Sequence, residues 1–159
     1  PLYSSAASDV YKRQVLRSFG KFFGLAGVRL GFVAAEHSLL LRLAELLGPW
    51  TVNGPTRVLA QASLTDQTAQ RAQAERCAAA SEQLAHVLRS AGLAPSGGCD
   101  LFQYVRSEHA ARLHEFLARR GILVRLFEQP AAVRLGLPAC TADEQRLAQA
   151  LAAYQKETA

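Results

Sequence analysis

The reading turns on Arg17-Ser-Phe-Gly-Lys-Phe-Phe-Gly-Leu-Ala-Gly-Val-Arg-Leu-Gly-Phe32. Residues 15–18 read as the tail of a short strand that enters a glycine-rich loop. Residues 28–34 read as a buried strand with one polar intrusion, Arg29. Lys21 lies among Phe19, Phe22, Phe23 and Leu25, and no carboxylate occurs between residues 15 and 33. The segment therefore predicts a buried lysine without an acidic partner nearby, although a carboxylate distant in sequence could still pair with it. Desolvation, or a neighbouring cation such as Arg29, favours the neutral amine, and the neutral amine attacks aldehydes. Ser18, the glycines at 20, 24 and 27, and Arg29 add a hydroxyl, approachable backbone N–H groups and a fork of donors. A bound phosphate needs that combination. The glycines could also be read as a dinucleotide loop, but a strand follows them where that motif needs a helix.

Working outward, the 159 residues suffice for one domain or two small ones, and 50% hydrophobic with 19% charged residues is ordinary for a globular chain. The apolar run from 25 to 47 is broken by Arg29, Glu36 and Arg42, so no membrane span is expected. The net charge of +5 comes from scattered arginines, with lysine only at 12, 21 and 156. A nucleic-acid face would cluster its cations, so no nucleic-acid partner is expected. Cys77, Cys99 and Cys140 are an odd number and far apart, which fits a reducing cytoplasm better than a disulfide framework. His109 and His114 do not share a helix face at their spacing, and no metal site is expected.

The chain begins with Pro and contains no Met. Residues 1–14 differ in texture from the Arg/Leu/Ala-rich remainder. The expectation is a fragment of a longer protein with a non-native leader, a translated adapter, over residues 1–14; a genuine flexible terminus is the alternative.

Helices are expected over residues 38–47, stopped by Gly48-Pro49, and over 55–64, with Pro55 early in the first turn. A third helix, capped by Thr65 or Asp66, should run to about Ser90 and end at Gly92. Its stripe is Ala72, Cys77, Ala80, Leu84, Val87 and Leu88. Residues 94–99 read as a loop, 101–105 as a strand, 108–120 as a helix closed by Gly121, and 122–127 and 131–137 as strands. Thr141-Ala-Asp-Glu144 reads as a capping box that opens a last helix to about Tyr154. This β-α-β-β-α order suggests a small open sheet with helices on one face. Arg134 interrupts an apolar strand, so it either snorkels to the surface or faces an anion. Arg125 has the same two readings.

The pattern Ser-x-x-Lys-x-x-Gly-x-x-Gly-x-Arg-x-Gly, from Ser18 to Gly31, resembles the pyridoxal 5'-phosphate attachment segment of class I/II aminotransferases. The resemblance covers about residues 15–155. It implies an α/β fold, the C-terminal part of a fold-type-I transferase. Residues 15–54 would end the cofactor-binding large domain, 55–92 would be connecting helices, and 93–159 a small α+β domain. It also implies that Lys21 carries the cofactor, that Ser18 and Arg29 hold the cofactor phosphate, and that Arg134, aided by Arg125, takes the substrate carboxylate. Trp50-Thr-Val-Asn53, Gly121-Ile-Leu-Val-Arg125 and Arg134-Leu-Gly-Leu-Pro138 are most similar to the threonine-phosphate decarboxylase branch, which serves cobalamin biosynthesis; histidinol-phosphate aminotransferases are the alternative. Asn53 would then face the active site, or it simply forms the turn before Gly54-Pro55. The implied substrate is an amino acid or amino acid phosphate, and the implied assembly is a homodimer of the full-length parent. Family members carry a ring-stacking aromatic and a ring-nitrogen aspartate ahead of the lysine. No residue here takes either part, so the fragment alone is expected to be inactive and to bind the cofactor weakly. A non-catalytic interaction domain on the same fold is the alternative of another class.

Overall fold

A computed structural model describes residues 14–158. The expected leader therefore lies outside the described residues except for Gln14. The chain divides into two compact units at Arg71/Ala72.

The first unit opens with β1 (Val15–Ser18), which pairs antiparallel with β2 (Gly31–Ala34). Between them stand a one-turn helix, α1 (Phe19–Phe22), and a 3-10 turn at Ala26–Val28. The second strand is thus shorter than expected: the 3-10 turn and Arg29, in a left-handed conformation, replace its first residues. Helices α2 (His37–Leu47) and α3 (Gly54–Thr65) follow. The first ends where Gly48 adopts φ 75°, and the second has Pro in its first turn, as its sequence predicts.

Helix α4 (Gln67–Ser90) is capped by Asp66, whose carboxylate accepts from the Ala69 amide at 2.8 Å. It ends before Gly92 at φ 68°. Cys77, Leu84 and Leu88 of its expected stripe are buried, joined by Ser81 and Ala85.

In the second unit four strands form an antiparallel sheet in the order β3-β4-β6-β5. They are β3 (Gly97–Cys99), β4 (Phe102–Arg106), β5 (Arg125–Phe127) and β6 (Ala132–Gly136). Residues 97–99 are therefore a strand and not the loop that their glycines suggest; pairing with β4 overrides local propensity. Helices α5 (Ala110–Ala118) and α6 (Thr141–Thr158) complete the unit. Thr141 is already helical, and the Glu144 amide bonds to the Cys140 carbonyl, so the cap stands one residue before the expected capping box. Leu84, Leu88, Leu113, Leu117, Val105, Val133, Leu135 and Leu151 are almost fully buried and make the core of this unit. Val133 and Leu135 face that core. By strand alternation, Arg134 between them points to the opposite side of the sheet.

Candidate functional site

Ser18 ends β1 and occupies the N-cap position of α1 with extended backbone angles. Its hydroxyl makes no capping bond. The Ser18 Oγ instead accepts from Lys21 Nζ at 3.3 Å, because residues three apart on a helical turn share a face. Lys21 itself is exposed, which corrects the expectation of a buried lysine: the phenylalanine rings pack on one another, not around the amine. Phe19 and Phe23 lie 4.5 Å apart, Phe22 meets Phe23 edge-on at 5.0 Å, and Phe19 is buried. Among the described residues no carboxylate pairs with Lys21.

Gly20 fixes the loop. Its carbonyl accepts from the Leu25 amide at 2.9 Å, and a Cβ at this position would stand 2.9 Å from the Ala26 Cα and 3.0 Å from the Leu25 carbonyl oxygen. Only glycine lets the returning chain pack this closely. The chain then reaches Arg29 at φ 55°, ψ 45°, a left-handed conformation that a residue with a side chain seldom adopts. Such conformations cluster at ligand sites, where neighbouring structure holds them. The Arg29 Nη1 bonds only a neutral partner, the Ala26 carbonyl at 3.2 Å, so its charge is uncompensated among the described residues.

Thr56 is not among the residues that the sequence analysis singles out. Its side chain is buried, and its hydroxyl donates to the Val28 carbonyl at 2.9 Å. Its amide donates to the Asn53 side-chain oxygen at 2.8 Å. Asn53 thus caps α3, and the capped turn holds the residue next to Arg29. The Asn-x-x-Thr spacing was the signal available for this link.

In the second unit Arg125 and Arg134 stand directly opposite each other on β5 and β6. Both are exposed, and neither forms an ion pair among the described residues. A shallow cavity of about 230 Å³ lies elsewhere in this unit, between residues 121–124 and 135–139. It contains none of the six predicted site residues.

The first unit thus offers a lysine beside a hydroxyl and, after a tight glycine loop, an arginine with no ion-pair partner among the described residues; the second unit, by itself, offers two facing arginines on a sheet. The sequence model described as "Aminotransferase class I and II" matches residues 4–153. The chain belongs to the class I and II aminotransferase family. A threonine-phosphate decarboxylase of Pseudomonas aeruginosa is 58% identical over 142 residues, which are 89% of this chain and 43% of that protein. A histidinol-phosphate aminotransferase of Roseiflexus castenholzii is 36% identical over 122 residues, 73% of this chain and 33% of that protein. This aminotransferase-family chain spans less than half the length of these relatives. Its fold matches the histidinol-phosphate aminotransferase of Sinorhizobium meliloti, solved in complex with pyridoxal-5'-phosphate. The TM-score is 0.76 at 22% identity, over 95% of this chain and 43% of that one. The α/β architecture expected for the C-terminal part of such an enzyme is therefore the observed one.

Proposed function

We propose that this chain supplies the lysine-bearing segment and the small domain of a pyridoxal-phosphate enzyme that decarboxylates threonine phosphate. One observation carries the reading: Lys21 Nζ and Ser18 Oγ meet at 3.3 Å in a chain 58% identical to a threonine-phosphate decarboxylase. The residues present fit the cofactor. An anionic aldehyde needs an amine without a carboxylate partner, a hydroxyl, and a cation whose charge is not already spent. Lys21, Ser18 and Arg29 meet those needs.

When bound, pyridoxal phosphate supplies an aldehyde for the substrate amine and a ring that accepts electrons from a breaking bond. Ser18 Oγ and the Arg29 guanidinium would hold the phosphate. Lys21 Nζ would hold the aldehyde carbon and would carry a proton at the substrate. Thr56, capped by Asn53, anchors the carbonyl of Val28, the residue before Arg29. On this reading residues 15–54 end the large domain, 55–92 are the connecting helices and 93–159 the small domain. Arg134 and Arg125 bind the substrate's acid groups, and the full-length enzyme works as a cytoplasmic homodimer.

The 36% identity to a histidinol-phosphate aminotransferase supports a second reading, amino transfer from an amino phosphate. The two differ in the bond broken, and one assay separates them. Full-length enzyme carrying this segment is given threonine phosphate, and CO2 and keto product are measured. Release of CO2 without a keto product is expected; a keto product without CO2 overturns the decarboxylase reading.

A further inference from the structure

The sheet face that carries Arg134 and Arg125 has a feature not needed for sheet formation. Like charges directly opposite on neighbouring strands repel, and Cβ atoms in such pairs lie only about 4.5–5.5 Å apart. No acidic residue occurs in any of the four strands to offset this. Aromatic rings stand there instead. The Arg134 guanidinium carbon lies 5.1 Å from the centre of the Phe102 ring, and that of Arg125 lies 5.7 Å from the centre of the Phe127 ring. Both distances are within the range of about 6 Å for cation–π attraction. Phe127 is itself held by an edge-on contact with Tyr104, ring centres 5.6 Å apart. Tyr104 lies opposite Arg134 on β4, and Phe102 lies opposite Gly136, which has no side chain to compete for the space beside Arg134.

We propose that Phe102 and Phe127 are positioning residues: their rings draw the two guanidinium groups apart and hold each in a fixed place to receive a separate acid group. The inference rests on the reading above that Arg134 and Arg125 bind the substrate's acid groups. The rings touch no substrate; they act through the arginines. A ring face attracts the cation without neutralising it, whereas a carboxylate at either position would occupy the fork that an incoming anion needs.

The test uses the 159-residue chain, with arginine Nε–Hε NMR signals followed during titration with O-phospho-L-threonine. In the unaltered chain the Arg125 and Arg134 signals should shift together. Phe102→Leu should weaken binding about two- to fivefold, the size of an exposed cation–π contact, and Phe127→Leu should do the same. Phe102→Tyr should bind as the unaltered chain does, and Phe102→Trp at least as tightly. Amide signals of Val105 and Val133 report on the core in each variant. Equal affinity for Phe102→Leu and the unaltered chain overturns the positioning role. If Phe102→Leu does not fold, Phe102→Tyr and Phe102→Trp decide: a tenfold loss in either overturns it. Arg134→Gln and Arg125→Gln separate the two claims. Loss of binding in these with none in the leucine variants sinks only the positioning role. Unchanged binding in both arginine variants, or no response of the unaltered chain, sinks the arginine reading and this inference with it.

Discussion

The two units share a chain but differ in how they treat apolar residues. In the second, large apolar side chains from α4, α5, β4, β6 and α6 close into one core, and Leu123 is its one exposed large hydrophobic residue among those described. In the first, Phe19, Thr56 and Ala60 are the buried residues among those described. Leu16, Leu46 and Trp50 are 79%, 84% and 89% exposed there, and the sheet has two strands. A two-stranded sheet is marginal by itself, and stability follows apolar burial. The lysine segment therefore sits in the unit with less of its own support, while Arg125 and Arg134 sit on the better-packed one. The lysine segment keeps its shape through single contacts: the Gly20 close approach within it, and the bond from Thr56, capped by Asn53, to the Val28 carbonyl.

That contrast can be broken by matched truncations. Leu117→Ala in the second unit should cost about 2–5 kcal/mol, read as a lower urea midpoint, because a fully buried leucine leaves a cavity. Leu46→Ala in the first should stay within about 0.5 kcal/mol. Equal effects would erase the distinction. Ser81→Ala comes next. It removes a buried hydroxyl that donates to the Cys99 carbonyl and accepts from the Gln103 amide, at 3.0 and 2.8 Å, so about 1–3 kcal/mol should be lost from the second unit. Asn53→Ala should cost less than Ser81→Ala, about 0.5–2 kcal/mol of α3 stability. Hydrogen exchange should show it as faster exchange at the Thr56 amide, with α5 amides unchanged.

Much of the fold is legible in the sequence. Asp66, Gly92 and Gly121 mark their helix ends because capping and left-handed backbone are local chemistry. The Ser-x-x-Lys spacing puts Ser18 and Lys21 on one face of a helical turn, where they meet. The failures were non-local. Gly97-Gly-Cys99 has no strand propensity and becomes a strand only by pairing with β4. Arg29 looked like a strand residue because its left-handed angles depend on the turn before it. The opposition of Arg125 and Arg134 is a matter of register, which neither strand encodes alone. Lys21 is exposed because the phenylalanines beside it in sequence pack on one another.

The central claim is that Lys21 is the residue that takes the cofactor aldehyde. It is tested most directly by incubating the chain with pyridoxal phosphate, reducing with borohydride and mapping the adduct by peptide mass spectrometry. The account predicts the adduct on the peptide containing Lys21, and its loss in Lys21→Ala. Equal labelling of Lys12, Lys21 and Lys156 would contradict it.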